Sequence, residues 1–582
     1  MNKRACHLMV IPSAIAFFTL LGLGEISSFV IAFFVGSFLG AGEYAYLQRN
    51  TARVNKWQLF VSALAGLFVC CLAVRYYFIR IPPDSSMSKL VARVFSDYPQ
   101  GLLITSTAIG LIAFPFVFTL LKIFLPYIIR SFVIIDYKRL RSEFVGNTTI
   151  VSALKKAGVI LLNIVSAALV GTLLLAAVYT LPVSQINNNV KASAKTIQAE
   201  GTYPQVSGLF TSVLDNLTDS IMMLEAANDT VESPLIDAMN VPRGCIEEKL
   251  PDDVLTAHYI DGLEFDRTLT YPRYWHGYLI FLKPLFLVLN YNTVRMINGF
   301  VQALLVILTC CLLYKKGFQS AVIPYILSYC MLMPIALAKA FQYSSCFYVF
   351  TIGCIGLLLL PKQKRKEKSY LVFLYCGILT AFFDFLTYPI ATFGVPMVFW
   401  LLLEENDSTE SKISCMVKYG LVWCVGFGCM WAAKWIIGSV ITGNHVIADG
   451  LASVAMRTSN TSEDGAVQYG VLRCELMNYK EFFTTPVTVL ALADIVYMMI
   501  RSIKGNASAI DRILRVLFPF LLVSLAPVVW YAFATNHSII HVWFTNKACI
   551  TSLLAVMFGL TCLLQAQKRE QDRSTGYGNQ RC

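Results

Sequence analysis

Apolar runs long enough to cross a bilayer recur along nearly the whole chain, separated by short polar stretches. A hydrocarbon core about 30 Å thick requires roughly 20 consecutive apolar residues in a helix. On that measure the pattern predicts membrane helices over 8–24, 27–42, 57–80, 101–126 and 155–181. Nine more follow over 293–313, 318–339, 343–361, 369–385, 388–403, 415–439, 484–503, 511–533 and 546–566. The chain reads as an all-α polytopic membrane protein with about 14 transmembrane helices. It divides into a four-span block over 1–154, a membrane core over 155–566 and a polar tail over 567–582 that is expected to be disordered. The start, MNKRACHLMV, resembles the basic region of a signal peptide. The apolar stretch behind it runs on to about Gly42, so it is expected to stay as an anchor.

Two segments break the rhythm. The first is a polar loop over 182–272 with 14 Asp and Glu against 5 Lys and Arg. Inside it, SGLFTSVLDNLTDSIMMLEAA places Phe210, Val213, Leu214, Leu217, Ile221 and Leu224 at helical spacing, which predicts an amphipathic helix. Asp215 and Asp219, four apart, fall roughly opposite that stripe. The second is YPRYWHGYLIFLKP, from Tyr271. Lys283 and Pro284 interrupt its apolar half, so 271–290 is expected to be a re-entrant or interfacial segment rather than a crossing.

Charge placement orients this plan. Lys3, Arg4, Arg130, Lys315, Lys316, the run KQKRKEK from Lys362, Arg501, Lys504, Lys568 and Arg569 all fall on one side by alternation, and the positive-inside bias makes that side cytoplasmic. Both termini are then cytoplasmic and the cell membrane is the expected location. The loops 182–272 and 440–482 face outward, and five of the six histidines (His258, His276, His445, His537 and His541) fall on that side. Only 14% of residues are charged, against about 25% in soluble proteins. The net charge of +12 sits in short loops, which argues against a nucleic-acid partner and for membrane lipids. No phosphate-loop or dinucleotide fingerprint is present. Most of the 17 cysteines lie in apolar runs, and no Cys/His spacing suits a metal. Cys245 and Cys474 lie well inside the outer loops, where an oxidising exterior would permit pairing.

The candidate chemistry therefore faces outward. Asp215 and Asp219 form a carboxylate pair or a solvated helix face. Asp252, Asp253, His258, Asp261 and Asp266 crowd into 15 residues and suit either a divalent cation, acid–base work or a water-exposed loop. Arg273, His276 and Lys283 can offer donors to a phosphate, with Tyr274 and Trp275 beside them as anchors at headgroup depth. Asp384, in AFFDFLTYP, stands at the outer end of a span, where an ionisable side chain is costly and is a functional candidate. His537 and His541 share a short outer turn, and Lys339 and Lys434 approach the outer face.

Over about 155–582, this plan of many spans, a large acidic outer loop and a re-entrant segment resembles the C-type integral-membrane glycosyltransferases. The resemblance implies transfer of a sugar from a polyprenyl-phosphate donor to a cell-surface glycan or lipid-linked acceptor on the outer face. It implies Asp219 or Asp215 as general base, Arg273 with Lys283 or His276 on the departing lipid phosphate, and Asp384 orienting the acceptor. A divalent cation is compatible with this chemistry. The alternatives are a transporter or flippase of lipid-linked glycans, and a non-catalytic envelope assembly protein.

Overall fold

The structure is a computed structural model. It describes residues 147–574 except 405–406, 463–466 and 505–509. The four spans expected before residue 127 lie outside the described residues.

The polar loop folds into a helical cap. Helix α1 (Asn147–Val178) is followed by α2 (Val183–Glu200), α3 (Asn216–Ala227), α4 (Pro234–Asn240) and α5 (Pro251–Tyr259). Strands β1 (Pro242–Cys245) and β2 (Arg267–Thr270) pair antiparallel, with Pro242 opposite Thr270. Helix α2 buries Ile186, Val190, Ala194 and Ile197, one stripe at helical spacing. Helix α3 begins later than the apolar spacing predicts, because Asp215 accepts from the backbone N–H of Thr218 and so caps it. The solvated acidic face expected of this helix is corrected: Asp215 is 3% exposed and Asp219 0%. The helix threads between α2, α5 and α6 (Leu279–Phe286), so even its polar face meets protein.

Helix α6 is only eight residues long, about 12 Å at 1.5 Å per residue, so 271–290 does not run through a bilayer as one helix. Beyond it come α7 (Tyr291–Lys315), α8 (Val322–Met331), α9 (Pro334–Lys339), α10 (Phe341–Leu359), α11 (Lys362–Phe383), α12 (Ala391–Leu403) and α13 (Thr409–Thr442). The chain continues through α14 (Val446–Arg457), α15 (Val471–Phe482), α16 (Val487–Lys504), α17 (Ile510–Ser524) and α18 (Ala526–Phe533). It closes with α19 (Thr535–Ile540), α20 (Val542–Thr545) and α21 (Ile550–Ser574). The last helix thus extends into the stretch expected to be a disordered tail.

Helix α7 shows which solvent the bundle meets. Met296, Phe300 and Ile307 face outward at 69%, 66% and 57% exposure, while Arg295, Gln302 and Thr309 are buried. That arrangement is inverted for water and right for lipid. Among the described residues, six helices are long and apolar enough to cross a membrane, and a seventh crossing arises if α15 and α16, bent by 95°, count as one. Ten crossings were expected over these residues, and the shortfall has physical causes. The stretch 318–339 breaks at Met333, which adopts φ 57° between α8 and α9. Helix α11 opens with the basic run KQKRKEK, and α12 has 13 residues.

Helices α11 and α13 touch backbone to backbone. A Cβ on Gly377 would lie 2.3 Å from the carbonyl oxygen of Trp423, and one on Gly426 would lie 2.5 Å from that of Leu374. Hydrogen bonds across the sequence sort the helix ends into two layers. Gln565 reaches Ser320, Gln567 reaches the carbonyl of Ser502, and Arg365 pairs with Glu404 at one end. At the other, Lys434 reaches the carbonyl of Met239, His537 faces that of Leu386, and Thr211 bonds Asn546. Every sequence-named candidate lies in this second layer.

Candidate functional site

Asp219 sits where a broken span must be repaired. The chain changes direction at Ala340, between α9 and α10, leaving carbonyls and an N–H without helical partners. One face of α7 supplies donors: Arg295 Nε to the carbonyl of Lys339 at 2.7 Å, Asn298 to Ala338 at 2.7 Å and Gln302 to Leu337 at 3.4 Å. Asp219 accepts the N–H of Phe341 at 3.1 Å and the hydroxyl of Tyr291 at 2.5 Å. Arg295 also donates to that hydroxyl at 2.5 Å and forms a 2.8 Å ion pair with Glu200. Burial pushes the Asp219 carboxyl up to about 7, against the pull of Arg295. Burial also raises Asp215, against the pull of donors that include Thr218, Gln342 and the indole N–H of Trp543 at 3.4 Å. Both acids are occupied by protein donors.

The cluster from Tyr271 to Lys283 does not gather around these acids. Arg273 pairs with Asp449 of α14 at 3.1 Å, the two side chains 29% and 42% exposed, its guanidinium 4.7 Å from the Tyr271 ring. Trp275 is buried and donates to the carbonyl of Met430 at 2.8 Å. His276, at φ 53°, is buried too. Its Nδ1 lies 3.1 Å from Glu225 Oε2 and 2.7 Å from the Tyr278 hydroxyl, and its Nε2 lies 2.8 Å from the carbonyl of Tyr271. Lys283 donates to the carbonyl of Ala226 at 2.8 Å and lies 4.5 Å from the Tyr179 ring centre. Burial lowers its pKa to about 8. Thus α3 does lie against this segment, through Glu225 and Ala226 and not through its aspartates.

A cavity of about 200 Å³ brings other candidates together. Its walls include Tyr274, Leu386 and His537, with Trp431, Trp435 and Trp530. Asp384, two residues before Leu386, accepts from the Ser345 hydroxyl at 2.9 Å and from the N–H of Thr387 at 2.9 Å. The Thr387 hydroxyl donates to it as well. His537 Nε2 lies 2.7 Å from the carbonyl of Leu386, which places the proton on Nε2 and leaves Nδ1 as an acceptor. Burial holds His537 well below the usual histidine range and His541 down to about 3, so both rings are neutral. Arg457, at the end of α14, is also in the wall.

Among the described residues no three His, Cys, Asp or Glu side chains come together to hold a metal ion. The acidic run around His258 disperses: His258 bonds the carbonyl of Leu263 and stacks on Phe265, while Asp252 takes the Thr202 hydroxyl. Cys245 and Cys474 are both buried free thiols, so the permitted pairing is not formed. The sequence reading missed Glu225, Arg295 and Arg457. A charge inside an apolar helix was a usable signal for Arg295; nothing in the spacing around Glu225 or Arg457 marked either. No family model matches the chain, no curated protein is significantly similar to it, and no solved structure matches it.

Proposed function

We propose that the protein is a membrane glycosyltransferase that moves a sugar from a polyprenyl-phosphate donor to a cell-surface glycan or lipid-linked acceptor. The observation that carries this reading is convergence. Tyr274 from YPRYWHGY, Leu386 from AFFDFLTYP and His537 from ATNHSIIH, stretches singled out separately in the sequence, meet in the wall of one cavity. Of the three candidate carboxylates, Asp384 alone lies in a turn that supplies a wall residue, so the acid–base role moves to it from Asp215 and Asp219. The positive-inside pattern makes the cavity end extracytoplasmic and both termini cytoplasmic.

Membranes containing the protein, given a radiolabelled polyprenyl-phosphate sugar, should transfer label to a lipid or glycan acceptor. Asp384→Asn should reduce that transfer roughly a hundredfold or more, whereas Asp215→Ser, which keeps the helix cap, should retain it. Absence of transfer from every polyprenyl-phosphate sugar offered would overturn the reading. Cysteine-accessibility labelling should place 362–368 inside and 182–272 outside.

A further inference from the structure

Glu225, Tyr278 and His276 form a closed triangle where the cap meets the bundle. Tyr278 donates to Glu225 Oε2 at 2.5 Å. His276 Nδ1 lies 2.7 Å from that hydroxyl and 3.1 Å from the same carboxylate oxygen. The histidine and glutamate side chains are fully buried. The protons round this triangle can be counted. His276 Nε2 faces the carbonyl of Tyr271 at 2.8 Å, which only accepts, so Nε2 carries a proton. The 2.5 Å contact has the length of a hydroxyl donating to an ionised carboxylate. The tyrosine proton is then spent on Glu225. A neutral imidazole would turn the Nδ1 lone pair on a hydroxyl oxygen and a carboxylate with no proton between them. It would also remove the charge of the ion-pair partner that Glu225 has in the fold.

The backbone around the triangle is strained. His276 adopts φ 53° and Leu386 φ 65°, left-handed conformations that a side chain disfavours and that persist only where neighbours impose them. The rings of Tyr274, His276 and Tyr278 lie 5.2, 5.1 and 5.1 Å from that of Phe385, the residue between Asp384 and Leu386. The N–H of Gly277 donates to the carbonyl of Phe382 at 2.9 Å. Tyr274 and Leu386, both in the cavity wall, are therefore packed with the triangle as one unit.

We infer that Glu225 and Tyr278 hold His276 as an imidazolium, and that its Nδ1 proton is a latch. Bound, the proton fixes α3 of the cap to the segment that carries Tyr274. Lost to water as pH rises, it leaves lone pairs facing each other, and the strained segment is released. The other titratable groups that act on Glu225 are Tyr179, Tyr271, Lys283 of α6 and Lys434 of α13, with Asp229 and Asp237 acting on Lys283. Both lysines already donate to cap carbonyls, those of Ala226 and Met239. Burial pushes Tyr271 and Tyr278 up, so their hydroxyls stay protonated where a histidine titrates. Lys283, lowered from 10.5 to about 8, acts in the opposite sense: its contribution to stability grows as pH rises between those values.

The latch needs no substrate, so it stands whether or not a sugar is transferred. The test uses the full chain in lipid nanodiscs and the variant Glu225→Gln. The glutamine amide can donate to the Tyr278 hydroxyl, which then donates to a neutral Nδ1, so the triangle closes without the extra proton. Hydrogen-exchange protection over 216–227 and 271–278, corrected for intrinsic rates, should fall roughly 10- to 100-fold between about pH 5.5 and 9 in the unmodified protein. In Glu225→Gln it should stay level. Nitrogen-15 NMR of histidine-labelled protein at about pH 5.5 should show one imidazolium fewer in Glu225→Gln than in the unmodified protein. Equal imidazolium counts would overturn the inference. So would protection that stays level with pH in the unmodified protein, which decides the matter even where the variant does not fold.

Discussion

The Tyr291 hydroxyl donates to the Asp219 carboxylate at 2.5 Å, joining a helix of the cap to the first turn of a lipid-facing helix 72 residues later. The same carboxylate caps α10 by accepting the N–H of Phe341. One side chain therefore closes the break between α9 and α10 and holds the cap on the bundle.

That role has a pH signature. The Asp219 carboxyl is pushed up to about 7 in the fold, against about 3.9 in an unfolded chain. The folded state therefore holds the proton more tightly. Its contribution to stability is complete below about pH 4, falls as pH rises through the window from about 4 to 7, and is flat above. Melting temperatures measured across that window should fall with pH in the unmodified protein and fall less in Asp219→Asn. Identical slopes would contradict the assignment. Asp219→Ala, which strands the Tyr291 hydroxyl and the Phe341 N–H, should cost roughly 3 kcal/mol.

Asn298 offers a second test of the same repair. Its amide donates to the carbonyl of Ala338 at 2.7 Å and to Ser344 at 2.8 Å, and its oxygen accepts the Tyr348 hydroxyl at 2.6 Å. Asn298→Leu is favourable for a membrane helix by hydropathy, yet it leaves buried groups unsatisfied. It should destabilise the protein by about 2–3 kcal/mol in a reversible unfolding titration, and a neutral outcome would show that the ladder does not support α9.

Gly377 tests the close approach of α11 and α13. A methyl group there meets the Trp423 carbonyl at 2.3 Å, which is backbone and cannot turn aside. Gly377→Ala should cost about 1–3 kcal/mol and Gly377→Leu more. Gly428→Ala on α13, in open space, should change stability little. The contrast is read by detergent-solubilised thermal unfolding, and equal effects would argue against the helix packing.

Two residues one position apart from Tyr274 should behave in opposite ways. Arg273 and its partner Asp449 are both partly exposed, so the coupling measured by a double-mutant cycle should be under about 1 kcal/mol. Trp275 is 1% exposed and bonded to Met430, so Trp275→Ala should cost about 3–5 kcal/mol. A strongly destabilised Arg273→Ala would mean that the pair is buried in the membrane-bound protein.

The amino-acid sequence by itself determined the solvent of each part. Long apolar runs require lipid because an unpaired backbone group there is too costly outside a helix, and the polar loop over 182–272 is too charged to enter it. The interruption at Lys283 and Pro284 was legible for the same reason, and α6 is short. What the tertiary structure decided is where each charge finds its partner. Asp215 and Asp219 have the spacing of a wet helix face, but burial depends on what packs against that face, and α6 and α7 pack there from more than 60 residues away. Arg273 and Asp449, Glu225 and His276, and Asp384 and Ser345 meet only because distant helices end in one layer. Local periodicity carries no record of those meetings. It reports which face of a helix is apolar; the packing of one helix end against another decides which polar groups share a cavity.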